Sequence, residues 1–248
     1  MKILAINGSP RSKGITNLLL EKFLDGAQTA GAEVETIYLA KEKIHHCTGE
    51  FHCWLKDQGH CLWDGKDGDT MADIRAKMAE NENWVLATPI YVDGMTGLMK
   101  NMFDRQIPNA LPFMETDEQG DIRHPRRVGA PDHANAKIVL ISTCGFPEMA
   151  TFGPLVNHVE RIARNAHTAL AGKILRPQGM VLPRLGEEMQ SKIYAALSKA
   201  GTEFVENGKV SPETEAEIAV EFMPKEMFIK GANIFWGKAI EQKTLDVV

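Results

Sequence analysis

Four stretches of the chain carry the residue types from which a chemical site could be built. The first is GSPRSKGITN, Gly8–Asn17. Ser9, Ser12 and Thr16 offer hydroxyls and Asn17 an amide, while Arg11 offers a planar charged fork suited to a doubly charged phosphate monoester. Backbone amides at a helix start, with the positive end of the helix dipole, suit the same group. The stretch is not a Walker A loop, because Lys13 is followed rather than preceded by Gly14. It also lacks the G-x-G-x-x-G spacing of a pyrophosphate site. The second stretch is TPIYVDGMTG, Thr88–Gly97. Here Pro89 stops a strand, Gly94 and Gly97 let backbone approach a flat ligand, and Tyr91 can stack on or edge a ring. The third is STCGFPEM, Ser142–Met149, where Cys144, Gly145 and Phe146 offer amides beside a narrow gap. The fourth, HCTGEFHCWLKDQGHC, His46–Cys61, holds three of the four cysteines and is dense in histidine.

The elements that must position these loops can be read from periodicity. Lys2–Asn7 is a short apolar run and reads as a buried strand. Leu18, Leu19, Phe23 and Ala27 recur at helical spacing, and Gly31 closes that helix. Val34–Leu39 alternates as a second strand, Trp84–Thr88 is a third and Lys137–Thr143 a fourth. Lys173–Leu182 reads as a fifth. Helices are expected from Asp69-Thr70 to about Asn81, over Gly97–Gln106 and over Pro154–Leu170. Others are expected around Glu188–Glu206, Pro212–Phe222 and Lys225–Ile240. Ile107–Ala136 is polar and aperiodic; loops this long are functional or contact a neighbouring subunit. Strands alternating with helices give an α/β protein with a doubly wound five-stranded parallel sheet in the flavodoxin-like order 2-1-3-4-5. In such a sheet the ligand sits outside the carboxyl ends of the strands where the winding reverses. That rule selects the first three stretches. A phosphate site beside two backbone-rich, partly apolar loops describes a pocket for flavin mononucleotide, FMN.

Bulk properties narrow the field. The chain has 248 residues, 44% hydrophobic and 25% charged, which is ordinary for a globular protein with a real core. No apolar run approaches the roughly 20 residues of a membrane helix. A net charge of -5 argues against a nucleic-acid partner. The basic run Arg123-His-Pro-Arg-Arg127 reads as a solvated loop, or else as a contact for an anionic cofactor or a partner subunit. MKILAING lacks the apolar core and cleavage site of a signal peptide, and four cysteines are too few for a disulfide scaffold, so cytoplasmic residence is expected.

KILAINGSPRSKGITN, ATPIYVDGMTGLMKNMFDR and STCGFPE together resemble the NADPH-dependent FMN reductase family of flavodoxin-like proteins, and within it the iron–sulfur flavoprotein branch. The resemblance covers roughly residues 1–182, an FMN-binding domain. Residues 183–248 form a helical extension packing on that domain or on a partner subunit. The resemblance implies FMN held at its phosphate by Ser9, Arg11, Gly14, Ile15, Thr16 and Asn17. Pro89, Ile90, Tyr91 and Gly94 would run along the ring, with Thr143, Cys144 and Gly145 at its far side. It implies NAD(P)H as co-substrate, a small-molecule electron acceptor, and a homodimer or homotetramer. The alternative it carries is an electron carrier fed by a ferredoxin.

That branch has a compact four-cysteine motif where this chain has Cys47, Cys53 and Cys61, with Glu50 in place of the second cysteine. Thiolates hold iron–sulfur clusters, normally four of them. The expectation is therefore cysteines buried under the flavin loop, with Trp54, Leu62 and Trp63 as neighbours and no metal. Two alternatives stay open. One is a cluster completed by Glu50 or Cys144. The other is zinc bound by the three cysteines and one of His45, His46, His52 or His60, or redox-active thiols.

Overall fold

The computed structural model describes residues 1–127 and 136–245. The strands are β1 (Lys2–Asn7), β2 (Glu33–Tyr38), β3 (Asn83–Pro89), β4 (Glu115–Thr116), β5 (Ile122–Arg123), β6 (Lys137–Thr143) and β7 (Ala169–Arg176). β4 and β5 pair as a small antiparallel hairpin. The other five form one parallel sheet in the order β2-β1-β3-β6-β7. With the hairpin set aside, this is the expected 2-1-3-4-5 winding. Ile3–Asn7 and Asn83–Thr88 are buried at every position, as strands covered on both faces must be. The edge strand β2 alternates toward solvent instead.

The helices are α1 (Ile15–Thr29), α2 (His52–Leu55), α3 (Met71–Glu80), α4 (Gly97–Asp104), α5 (Gly153–Asn165), α6 (Glu187–Asn207), α7 (Pro212–Ala219) and α8 (Lys225–Gln242). α1 and α6 cover one face of the sheet. Their backbones touch at Gly26 and Gly201: a Cβ on Gly26 would collide with the Ser198 backbone, and one on Gly201 with that of Phe23. This close approach seats Phe23 against Phe204, with ring centroids 6.1 Å apart, and α6 shares its core with β1 and β3. Burying each such ring contributes on the order of 1.5–3 kcal/mol. The opposite face is covered by α3, α4 and α5 through Ile74, Met78, Met99, Met102, Leu155 and Val159. Of the expected Asp69-Thr70 cap, Thr70 occupies the N-cap but makes no side-chain cap bond, while Asp69 Oδ1, one residue earlier, accepts from Met71 N at 3.0 Å. α8 stands apart, with Ala239 as its buried residue. No helix among the described residues is long and apolar enough to cross a membrane.

Several boundaries differ from expectation: α4 ends at Asp104 and α7 at Ala219, and the largest differences lie around β7. The helix expected to run to Leu170 ends at Asn165, and β7 starts at Ala169 rather than Lys173. His167 at φ 57 makes the break. β7 also stops at Arg176, because Pro177 and the left-handed Gln178 turn the chain out of the sheet. The apolar residues through Leu182 that read as strand lie in a 3-10 turn, Gly179–Arg184, which inserts Leu182 into the core. Of the polar Ile107–Ala136 stretch, residues 128–135 lie outside the described residues.

Candidate functional site

The parallel strands end together, so the three predicted loops emerge side by side where the winding reverses between β1 and β3. Hydrogen bonds tie them into one unit. Thr96 Oγ1 donates to the Gly8 carbonyl at 2.7 Å, joining the first and second loops. Ile90 N donates to the Thr143 carbonyl at 2.8 Å, joining the second and third. The hydroxyls of Thr16 and Thr143 lie 2.9 Å apart, joining the first and third. Gly8 is required at the first junction, since a Cβ there would lie 2.9 Å from Met99 Cβ.

Within the first loop the predicted residues divide by role. α1 begins at Ile15 with no side-chain cap and no acid in its first turn. The first intrahelical bond is Leu18 N to the Gly14 carbonyl. The amides of Ile15, Thr16 and Asn17 therefore lack intrahelical acceptors, and the positive end of the dipole is left open to an anion. Arg11 and Lys13 are exposed beside this end. Ser9 is buried, and its Oγ accepts from Arg11 N at 3.2 Å, which shapes the turn. The Asn17 side chain is engaged at both ends: Oδ1 accepts from Asn7 Nδ2 at 2.9 Å and Nδ2 donates to Glu21 Oε1 at 2.7 Å.

The second loop is a tight reversal. Tyr91 and Gly94 exchange backbone hydrogen bonds of 3.0 and 3.2 Å, with Val92 at φ 47 and Asp93 at φ 60 between them. A β-branched residue in the left-handed region is strained, at a cost of order 1–3 kcal/mol. Val92 is 100% exposed and Tyr91 45% exposed, so the turn holds an apolar rim in solvent. Pro89, which ends β3, lies opposite Thr143 in the sheet register, with Ile90 half-buried next to it.

The third loop corrects one expectation. The Cys144 amide is not offered to a ligand, because it continues the β6–β7 ladder by donating to the Arg176 carbonyl at 3.2 Å. The Cys144 thiol is buried, with Sγ 3.2 Å from the Phe146 carbonyl, and burial pushes its pKa up. Gly145, Phe146 and Met149 are the exposed residues of this loop.

The cysteine stretch also departs from expectation. Cys47, Glu50, Cys53 and Cys61 line one small pocket, closed by Asp104, Arg105, Ile107 and Pro108. It therefore sits at the C-terminal end of α4, whereas the second loop enters that helix at its N-terminus. Eight helical residues, about 12 Å, separate the two ends. Cys53 is buried, but Cys47 and Cys61 are half-exposed. All four cysteines are free thiols. Burial, with Cys61 nearby, pushes the Cys53 thiol up, while a hydrogen bond from Thr48 holds the Glu50 carboxyl down. Among the described residues no three His, Cys, Asp or Glu side chains converge in metal-binding geometry.

Fully buried Arg105 anchors this segment. It pairs with Asp69 at 2.8 and 3.1 Å and donates to the His45 carbonyl at 2.7 Å. Trp63 stacks on His45 at 4.2 Å, and Trp54 Nε1 donates to the Ala110 carbonyl at 2.9 Å. The basic run serves the same fastening, with Arg127 Nε donating to the Pro108 carbonyl at 3.1 Å and Arg123 Nε pairing with Glu115 at 2.9 Å. It is part of the protein's own framework rather than a solvated loop.

Sequence reasoning missed Asn7, Thr88, Thr96 and Ser142. Asn7 Oδ1 accepts from Ser9 N, Thr88 Oγ1 accepts from Thr96 N, and Ser142 Oγ donates to the Thr88 carbonyl. Their signal was available, because polar residues closing apolar strands have little reason to be buried unless they brace something.

Comparison with known proteins agrees with this geometry. The model of the NADPH-dependent FMN reductase family matches residues 1–116. An iron-sulfur flavoprotein from Archaeoglobus fulgidus is 32% identical over 133 residues, covering 53% of this chain and 58% of that protein. Another, from Methanocaldococcus jannaschii, is 33% identical over 121 residues, covering 48% of this chain and 59% of that protein. The chain thus spans somewhat over half the length of the curated relatives it matches. Among solved structures, an FMN-dependent NADH-azoreductase from Bacillus anthracis, in complex with FMN, superposes with a TM-score of 0.57. It shares 13% identity and covers 82% of this chain and 99% of that one, a likeness of fold. The residues that match the NADPH-dependent FMN reductase model, 1–116, include the loops after β1 and β3, and the sheet has the flavodoxin-like strand order.

Proposed function

We propose that this chain is an FMN-dependent oxidoreductase that takes hydride from NAD(P)H and reduces a second, small-molecule acceptor such as a quinone or a free flavin. One observation carries the reading: three loops tied to one another at the switch point, with an uncapped helix start and Arg11 beside it. That donor set fits a phosphate monoester attached to a flat ring. The free amides of Ile15, Thr16 and Asn17, with Gly14 and the Arg11 fork, would hold the phosphate. Ser9 would shape the turn. Pro89, Ile90, Tyr91 and Gly94 would run along the ring, with Thr143 and Gly145 on its far side and Cys144 beneath.

Bound FMN would supply the hydride chemistry. The protein's residues would orient it, and the exposed Tyr91–Val92 rim would cover the face from which nicotinamide and acceptor approach in turn. The buried Cys144 thiol stays neutral at pH 7 and gives the ring an uncharged neighbour. Titration of the apoprotein with FMN tests the reading. Stoichiometric binding that Arg11→Ala weakens supports it, and no binding contradicts it.

A second reading, an iron–sulfur electron carrier, has one specific support: Cys47, Glu50, Cys53 and Cys61 line a common pocket. Iron and acid-labile sulfide, assayed on protein purified without oxygen, decide between the two. We also propose assembly as a homodimer or homotetramer, supported by Met227, Ile229, Ile234, Trp236 and Ile240 exposed on α8. The free thiols fit a reducing, cytoplasmic compartment.

A further inference from the structure

The end of β7 and the residues just past it belong to two neighbourhoods at once. On one side they hold the third loop. The Arg176 carbonyl accepts from Cys144 N at 3.2 Å, Gln178 N donates to the Phe146 carbonyl at 2.9 Å, and Gly179 N donates to the Cys144 carbonyl at 2.9 Å. On the other side their side chains grip the segment between α7 and α8. Arg176 is fully buried, yet it meets no carboxylate among the described residues. Its guanidinium donates to the carbonyls of Pro177, Ile218 and Val220 and lies 3.9 Å from the centre of the Phe222 ring. Gln178, also fully buried, donates to the Met223 carbonyl at 2.9 Å and accepts from Phe222 N at 2.8 Å. A few residues on, Lys225 at the start of α8 pairs with Glu148, which lies in the third loop itself.

A cation buried without a counter-ion is costly, and a glutamine in the left-handed region adds strain. Both are accepted where the two neighbourhoods meet. Burial lowers the Arg176 pKa to about 10, which leaves it charged at neutral pH. Three carbonyls and an aromatic face offset part of the burial cost.

We propose that Arg176 and Gln178 are positioning residues that seat the third loop of the FMN site by fastening it to the segment Ile218–Met223, with the Lys225–Glu148 pair as a second tie. Cofactor affinity then depends on residues about a hundred positions beyond the family-matched region. The inference rests on the FMN reading, and its test separates the two.

FMN Kd and the apoprotein melting midpoint are measured for the wild type, Gln178→Ala, Lys225→Glu, Glu148→Lys and the double exchange Glu148→Lys/Lys225→Glu. Amide hydrogen exchange at Gly145 and Phe146 is followed in the apoprotein. Gln178→Ala raises Kd about fivefold, the loss of a buried hydrogen bond. Each single charge reversal raises Kd about twofold, and the double exchange restores it, because the pair lies on the surface and neither change disturbs the core. Exchange at Gly145 and Phe146 accelerates in Gln178→Ala. Unchanged Kd and unchanged exchange overturn the inference, as does a fall in melting midpoint with no change in Kd. Should Gln178→Ala not fold, the surface exchange decides alone. Should the wild type bind no FMN, the functional reading falls, and the exchange rates still decide whether the segment seats the loop.

Discussion

The hydroxyls of Thr16 and Thr143 lie 2.9 Å apart, although 127 residues separate them in sequence. One belongs to the first turn of α1 and the other ends β6. Both are buried. This bond fixes the distance between the proposed phosphate-binding helix start and the far wall of the proposed ring site. Thr16→Val and Thr143→Val each leave one buried hydroxyl unpaired and cost about 1–3 kcal/mol, whereas the double variant costs less than their sum. A denaturation double-mutant cycle checks this. Additive effects mean that the two hydroxyls do not interact.

Arg11 is exposed and makes no ion pair within the described residues, so its removal leaves apoprotein stability unchanged. A charge-assisted hydrogen bond to phosphate is worth about 1.5–3 kcal/mol, so Arg11→Ala raises the FMN Kd by about 10- to 100-fold. Riboflavin, which lacks the phosphate, binds wild type and variant alike. A fluorescence titration with both ligands reads the difference.

Arg105 and Asp69 form a fully buried pair beneath the cysteine segment. Removing the cation by Arg105→Ala leaves an uncompensated carboxylate and costs about 3–5 kcal/mol in urea unfolding. Burial alone would push the Asp69 pKa up. The Arg105 fork and the amides of His45 and Met71 outweigh burial, so the folded pKa lies below the unfolded value of about 3.9. The resulting stability is present in full above about pH 5 and is lost as pH falls through the folded pKa. Asp69→Asn flattens that acid limb. An unaltered limb places the acid sensitivity elsewhere.

Thiol reactivity follows burial. Cys47 and Cys61 are half-exposed, whereas Cys53 and Cys144 are buried with raised pKa values. In chelator-treated apoprotein at neutral pH, alkylation mapped by mass spectrometry marks Cys47 and Cys61 first and Cys144 last, since the thiolate is the reacting form. Early labelling of Cys144 contradicts its placement beneath the third loop.

The strand order and all three loops were legible in the sequence because each rests on local signals. Lys2–Asn7 and Lys137–Thr143 are apolar runs with sharp ends, and the structure reproduces both ranges. The bracing of those loops was not legible. The Thr16–Thr143 and Thr96–Gly8 bonds depend on which strands become neighbours, and a single chain shows residue types rather than pairings. β7 was misplaced because Met180–Leu182 looks like strand, while the left-handed Gln178 that ends the sheet leaves no mark on hydropathy. The cysteine stretch misled in position, because its anchor is Arg105 at the far end of α4, held there by a buried ion pair formed with a residue 36 positions away.

Anaerobic stopped-flow mixing of the FMN-loaded protein with NADPH or NADH, followed at the flavin absorption band, separates a nucleotide-fed oxidoreductase from a carrier fed by other donors. For an oxidoreductase, one or both nucleotides bleach the flavin within seconds, and an added quinone restores the colour. A flavin that dithionite reduces but neither nucleotide does would contradict the oxidoreductase reading.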